Sequence, residues 1–117
     1  MSISERYRSA AHHLYDQAVV ELEAGDLRQA SEKFWGAAAQ SMKALSERRG
    51  WRHRSHRHFH QTLDLINDED DHEDIVRWFG LAESLHINFY EDRASYDTIR
   101  IISADVRKLV DRLDLID

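Results

Sequence analysis

The sequence predicts an all-α protein, an antiparallel four-helix bundle with an additional short helix, in one domain spanning residues 1–117. Pro is absent and Gly occurs only four times, so the residues that most often break helices are scarce. Apolar residues recur every three or four positions along most of the chain, which is the spacing of one helix face. No strand-like segment exceeds a few residues, and the β-branched residues at 99–102 continue into a helical pattern.

The first two helices are predicted to form an antiparallel hairpin. The apolar face of the first helix consists of Tyr7, Ala11, Leu14, Ala18 and Leu22. Gly25 is the expected stop of this helix, and Asp26 and Gln29 are expected to form a capping box at the start of the next one. The second helix has its apolar face at Leu27, Ala30, Phe34, Ala38, Met42 and Leu45, beside an edge of small residues at Ala37, Ser41 and Ala44.

Three further helices are predicted after Gly50, which ends the second helix. A short helix carries Phe59, Leu63 and Ile66. The fourth helix has its apolar face at Ile75, Phe79, Ala82, His86 and Phe89. Gly80 lies inside this helix and costs about 1 kcal/mol relative to Ala, so close packing against a neighbour is expected there. The last helix begins near Ser95 and presents Ile99, Ile102, Val106, Leu109 and Leu113.

Composition restricts the classes of function. The chain has 16 basic and 22 acidic residues and a net charge of -6, so contacts with nucleic acid are expected only at local patches. Cys is absent, which excludes disulfides and Cys-based zinc sites. The first residues do not resemble a signal peptide, and no apolar stretch approaches the roughly 18 residues of a membrane span. We therefore expect a cytoplasmic protein that does not enter a membrane.

Positive charge is concentrated in residues 48–60, which contain five Arg and four His, whereas residues 64–74 contain seven carboxylates. Arg and His side chains can contact phosphates, and Trp can stack on a base. The candidate nucleic-acid contacts are Trp51, Arg52, Arg54, His56 and Arg57. The alternative interpretation is structural, because arginines at this position can cap the second helix and pair with the acidic segment.

A metal site is a further possibility for the same segment. His56 and His60 lie one turn apart on the predicted short helix and could share a metal ion. The spacing supplies no third ligand, so the sequence predicts neither a metal site nor a cofactor.

A second group of polar side chains lies in residues 81–92 and includes His86, Asn88, Tyr90 and Glu91. A His beside a Tyr and a Glu can perform general acid–base chemistry. The candidate catalytic residues are His58, His86 and Tyr90. A single His on an apolar helix face is more often a core residue with a hydrogen-bond partner, and residue chemistry alone favours that interpretation for His86.

Residues 21–38 have the pattern of a tetratricopeptide hairpin, which makes a helical-hairpin interaction protein one alternative function. That repeat needs several copies to bury its stacking faces, and the sequence contains a single copy.

Residues 25–56 and 81–92, the latter with Asn-Phe-Tyr-Glu at 88–91, resemble two signatures of the PaREP1 family of small, largely archaeal proteins. The signatures occur in the same order, and the resemblance covers roughly residues 7–112. PaREP1 proteins are in turn similar to the HEPN superfamily of helical bundles. The resemblance implies a bundle of four or five helices, homodimerisation, nucleotidyltransferase-type protein partners and a link to RNA cleavage.

HEPN ribonucleases carry an Arg and, four to six positions later, a His near a helix start at the dimer interface. Arg77 and His86 of the predicted fourth helix are separated by eight residues and do not fit. Several Arg–His pairs within residues 48–60 fit the spacing, but they follow the second helix. The leading prediction is therefore a dimeric binding or partner-interaction module linked to RNA or nucleotides. A metal-independent ribonuclease is the alternative.

Overall fold

Five helices account for most of the chain in a computed structural model that describes all 117 residues. Their bounds are Ile3–Glu23 (α1), Leu27–Arg49 (α2), His56–Glu69 (α3), Glu73–Glu91 (α4) and Tyr96–Asp114 (α5). No residue lies in a strand, so the all-α prediction is confirmed. The predicted short helix is α3, and none of the five helices combines the length and apolar character that crossing a membrane requires.

The turn between α1 and α2 has part of the predicted chemistry. Gly25 adopts a left-handed φ of 83°, which an L side chain rarely tolerates. The carboxylate of Asp26 accepts the backbone N–H of Gln29 at 3.1 Å and so caps the start of α2. Gln29 does not complete the reciprocal half of the box, since its side chain makes no hydrogen bond back to Asp26. This tight turn lets α1 and α2 pack along their length.

The centre of the molecule is α2, which packs against each of the other four helices. Twelve of its residues are buried, including the predicted small-residue edge. Beside this edge, at Gly36, α1 approaches so closely that a Cβ on the glycine would lie 3.2 Å from the side chain of Leu14. Around α2 a single cluster of 22 buried apolar residues forms the core, and its largest fully buried side chains include Phe34, Phe79 and Met42.

Two expectations for α4 are wrong. The side chain of His86 retains 26% of its exposure, and the buried residues of this helix are Ile75, Phe79, Ala82, Leu85 and Asn88. In the second half of the helix, the buried positions therefore lie one residue earlier than predicted, at Leu85 and Asn88 instead of His86 and Phe89. Gly80 is exposed, and a Cβ placed on it would have no heavy atom within 4 Å, so the close packing expected at this glycine does not exist within the chain.

Candidate functional site

The first two arginines of the basic segment 48–60 are structural. Arg48 donates hydrogen bonds to the carbonyl oxygens of Leu113 at 2.9 Å and Ile116 at 2.7 Å, so it caps α5 instead of its own helix. Arg49 donates to both carboxylate oxygens of Glu69 at 2.6 Å. This is the predicted pairing with the acidic segment. Arg49 also lies over the ring of Trp51, 5.2 Å from its centroid.

Residues 50–54, in the connection between α2 and α3, form one wall of an open pocket of about 540 Å³. Gly50 ends α2, as predicted, and adopts the left-handed conformation. Trp51 is half-buried beneath Arg49, and His53 is held by the carboxylate of Glu47 at 2.8 Å. The pocket is lined by Gly50, Trp51, Arg52, His53, Arg54 and His58.

The remaining arginines of this segment, Arg52, Arg54 and Arg57, are exposed and make no side-chain hydrogen bond, ion pair or ring contact. Among the 16 basic side chains, Arg6 is the only other one in that state, because each of the rest contacts a carboxylate, a carbonyl oxygen or an aromatic ring. Three of the four free guanidinium groups therefore lie within six residues of each other. Structural pairing explains Arg48 and Arg49 but not these three.

His58 is the first candidate catalytic residue, and its surroundings restrict what it can do. Its Nδ1 atom accepts the backbone N–H of Arg54 at 3.0 Å, so this nitrogen carries no proton of its own. The lone pair that a general base needs is thus already engaged inside the loop. Only the Nε2–H group of His58 is free, and it can donate but not accept.

His56 and His60 share one carboxylate on α4. The Nδ1 atom of His56 lies 3.2 Å from Oε2 of Glu83, and Nε2 of His60 lies 2.9 Å from Oε1 of the same side chain. Glu83 is a third potential ligand that the spacing of the two histidines could not reveal. Even so, nowhere in the chain are three or more His, Asp or Glu side chains arranged to hold a metal ion.

His56 also meets His86, although thirty positions separate them in sequence. Their ring centroids are 5.4 Å apart, and both rings lie against the indole of Trp35, at 4.9 Å for His56 and 5.4 Å for His86. Trp35 is itself 6% exposed and belongs to the core. One residue of the basic segment and one residue of the 81–92 segment thus share a cleft, which we call the histidine cleft.

A carboxylate fixes the orientation of His86. Nδ1 of His86 lies 2.9 Å from Oε2 of Glu32 on α2. Since a carboxylate only accepts, Nδ1 carries the proton and the outer nitrogen, Nε2, is left free. Tyr90 packs edge-on against the same imidazole with a centroid separation of 5.5 Å, and its own side chain is 70% exposed.

Asn88, the first residue of the Asn-Phe-Tyr-Glu run, has a structural role. It is buried, donates to the hydroxyl of Ser31 at 3.0 Å, and accepts the backbone N–H groups of Arg93 and Ala94 at 2.8 Å each. These bonds fix the connection to α5 just beyond Asp92, whose φ of 51° is left-handed. The hydrogen bonds of Asn88 therefore hold together α2, α4 and the start of α5.

Sequence reasoning missed three members of the histidine cleft: Trp35, Glu32 and Glu83. Glu32 and Trp35 are three positions apart on α2, as are Glu83 and His86 on α4, so each pair shares a helix face. This spacing was a usable signal for placing Glu83 near His86. Nothing in the sequence indicates that the faces on α2 and α4 meet the first turn of α3.

Comparison with solved structures supports the fold. A crystal structure of a protein from Sulfolobus solfataricus superposes with a TM-score of 0.80 at 24% sequence identity, and the match covers 97% of this chain and 96% of the other. At that identity the similarity concerns the fold alone. No curated protein matches the chain.

Comparison with protein families supports the resemblance seen in the sequence. The model of the archaeal PaREP1/PaREP8 family matches residues 6–110, which include both signature segments, the basic loop and the histidine cleft. The match covers nearly the same residues as the predicted resemblance. The chain belongs to the archaeal PaREP1/PaREP8 family.

Proposed function

We propose that this protein is an RNA-binding module that contacts the phosphate backbone through Arg52, Arg54 and Arg57. One observation carries the proposal: these exposed guanidinium groups lack a partner in a chain where almost every other basic side chain has one. Three free positive charges within six residues attract a polyanion in spite of the net charge of -6. Phosphate contacts of this kind give affinity without reading sequence.

The neighbouring structure favours an anion at the same place. Ser55 caps α3, so the positive end of this helix dipole points toward the segment that carries Arg52 and Arg54. One face of Trp51 is covered by Arg49, so that face is not open to a nucleobase. The proposed contacts are therefore mainly electrostatic, and binding should weaken steeply as the salt concentration rises.

Fluorescence anisotropy with a labelled single-stranded RNA tests this proposal. The wild-type chain should bind at low salt, and log Kd should depend on log salt with a slope of about 0.7 for each phosphate contact. Substituting Arg54→Ala and Arg57→Ala together should weaken binding roughly tenfold and lower that slope.

The matched control is Arg100→Ala with Arg107→Ala on α5. It removes the same two charges, but these arginines are exposed and already paired with Asp97 and Asp111. The control should therefore bind RNA almost as the wild type does. Absence of binding at low salt, or equal losses in both double variants, would overturn the proposal.

We further propose a homodimer that packs through the outward face of α4. This face presents Val76 and Ile87, 41% and 53% exposed, on either side of the open Gly80. A glycine in the middle of an exposed helix costs stability, and the absence of a side chain permits a second helix to approach closely. A second copy of the chain is the proposed occupant, which agrees with the dimerisation that the HEPN-like resemblance implies.

Light scattering after size exclusion tests the dimer. The wild type should have about twice the chain mass of 13.8 kDa, and Ile87→Glu should give a monomer. Val20→Glu is the control, because Val20 is 65% exposed on α1, a helix that does not contact α4. A monomeric wild type at high concentration would contradict the proposal.

The HEPN-like relationship is itself part of the proposal, together with the up-and-down bundle topology and a nucleotidyltransferase-type partner. The number of helices, five, and the two signature segments support the HEPN-like relationship. Copurification with a protein of the nucleotidyltransferase type would support the partner, and two proteins that elute separately after mixing would count against it.

A further inference from the structure

We infer that the pocket in the connection between α2 and α3 binds a terminal phosphate of the RNA strand, so that the protein recognises strand ends. This inference rests on the proposed RNA binding, and it names the part of the strand that is bound. The pocket, which we call the loop pocket, is lined by Gly50, Trp51, Arg52, His53, Arg54 and His58.

The loop pocket has no acidic side chain in its lining, although the chain has more acidic than basic residues. The carboxylate of Glu47 is bound to His53 at 2.8 Å, but Glu47 is not part of the lining. Arg52 and Arg54 are exposed and have no partner within the chain. An anion in the pocket therefore meets two guanidinium groups without competition from a carboxylate.

Two N–H groups add to the donors of the loop pocket. Nδ1 of His58 accepts the backbone N–H of Arg54 at 3.0 Å, so the proton of the neutral ring is on Nε2. Neither this N–H group nor the indole N–H of Trp51 has a partner within the chain, and neither is buried. The unpartnered side-chain groups of Trp51, Arg52, Arg54 and His58 are thus all donors, which is the complement of a ligand whose oxygens only accept.

This set of donors matches a phosphate monoester better than a phosphodiester. A monoester carries a charge of about −1.5 to −2 at pH 7 and has three terminal oxygens that accept hydrogen bonds. Each phosphodiester of the backbone carries a single charge. Because the guanidinium groups of Arg52 and Arg54 line one pocket, the ligand with the higher charge gains more from both of them.

The loop pocket offers no open aromatic face to a nucleobase. Arg49 covers one face of Trp51, with its guanidinium carbon 5.2 Å from the ring centroid, and the indole is half-buried against the core. Stacking on an aromatic face is the usual way in which a single-stranded base is held. Affinity in this pocket should therefore come from the phosphate and should not depend on the terminal base.

The charge along α3 explains why the bound phosphate is at an end of the strand. An internal phosphate is flanked by further phosphates on both sides. Next to the loop pocket, a hollow of about 230 Å³ extends along α3 to Gln61 and Leu65. The same part of α3 exposes Asp64 and Asp68, and these carboxylates repel a phosphate backbone that continues in this direction. The strand therefore ends at the loop pocket.

The rest of the strand can leave the pocket on the side of α1. There the ring of Tyr7 packs edge-on against the ring of His53, with centroids 5.4 Å apart. The ammonium group of Lys43 lies 5.8 Å from the centroid of Tyr7 and has no carboxylate partner. A cation is thus available to the following phosphates at the edge of the pocket that lies away from the aspartates of α3.

Fluorescence anisotropy with internally labelled RNA tests the inference on the wild-type chain. Three single strands of one sequence are compared: one with a 5′-phosphate, one with a 3′-phosphate, and one with hydroxyl groups at both ends. At least one phosphorylated strand should bind roughly tenfold more tightly than the hydroxyl strand. Adenosine monophosphate in excess should abolish this preference by filling the pocket, whereas adenosine, which has no phosphate, should leave it intact.

Two single variants locate the preference within the basic segment. Arg52→Ala should lower it to within about twofold, because one of the two guanidinium groups of the pocket is lost. Arg57→Ala is the matched control, since Arg57 is equally exposed and unpartnered but does not line the pocket. It should weaken the binding of all three strands alike and leave the preference unchanged.

A third variant, His58→Ala, should also lower the preference, and circular dichroism verifies that it is folded. Because this change also removes the acceptor of the Arg54 backbone N–H, it can disturb the loop. In that case Arg52→Ala, which removes a side chain without contacts, carries the test.

The outcomes separate this inference from the RNA-binding proposal. Equal affinity for all three strands overturns the recognition of ends and leaves the binding module standing. Binding of adenosine monophosphate without binding of any strand overturns both, and assigns the loop pocket to free nucleotides. A preference that survives in Arg52→Ala, or that falls equally in Arg57→Ala, overturns the assignment of the terminal phosphate to the loop pocket.

Discussion

Asn88 lies in a run of polar and aromatic residues at 88–91, yet the members of that run do different things. Asn88 is buried and uses both ends of its amide, whereas Tyr90 is exposed and makes only ring contacts, with His86 and Phe89. The sequence places both in one candidate group because it shows polarity and spacing but not burial. At the scale of single residues, the partners of a side chain decide whether it serves the fold or the site.

Asn88→Ala should lower the free energy of unfolding by about 2–3 kcal/mol, because it leaves two backbone N–H groups near the α4–α5 connection without their acceptor. Urea denaturation followed by circular dichroism measures the change. Tyr90→Ala, in the same run but 70% exposed, should stay within about 0.5 kcal/mol of the wild type. Equal effects of the two substitutions would contradict the structural role of Asn88.

The helix α4 illustrates how far periodicity predicts an element. The sequence predicts its apolar face through Ala82 and then continues to His86 and Phe89, while the structure continues to Leu85 and Asn88. Steps of three and four residues both keep a side chain on one face, so the pattern allows either continuation. Burying Asn88 is acceptable only because partners on α2 and beyond α4 satisfy its amide, and those partners are not visible in the sequence of one helix.

The exposed glycine inside α4, Gly80, allows a prediction about the stability of this helix. Gly80→Ala should stabilise the isolated monomer by about 0.5–1 kcal/mol, because the helical backbone accepts Ala and no atom lies within 4 Å of the added methyl group. Denaturation of the Ile87→Glu monomer with and without Gly80→Ala measures this effect apart from association. In the proposed dimer the added methyl group should weaken association, which sedimentation measures as a larger dissociation constant. Destabilisation of the monomer would show that the backbone at Gly80 requires glycine.

At the scale of the whole molecule, helix existence and most helix ends could be predicted from the sequence, because periodicity, Gly25, Asp26, Gly50 and Ser95 are local signals. The histidine cleft could not be predicted, because His56, His86 and Trp35 come from three helices. The histidine cleft exists only because the first turn of α3 packs against α2 and α4. Arg48 is a similar case: local sequence favours a cap for α2, whereas the fold brings the end of α5 within its reach.

Because Arg48 links three helices, its removal should destabilise the fold. It contacts the hydroxyl of Ser4 at 3.2 Å as well as two carbonyl oxygens near the end of α5, so one side chain of α2 joins the start and the end of the chain. Arg48→Ala should lower the free energy of unfolding by about 1–2 kcal/mol, since the charged hydrogen bonds to the carbonyl groups of Leu113 and Ile116 are lost. Hydrogen exchange should show faster opening of the last turn of α5 before any change at α3 or α4.

Arg52→Ala, which removes an exposed arginine without partners, should change neither the free energy of unfolding nor the hydrogen exchange of α5. Similar losses of unfolding free energy in the two variants would mean that the net charge of the segment, and not the hydrogen bonds of Arg48, stabilises the fold.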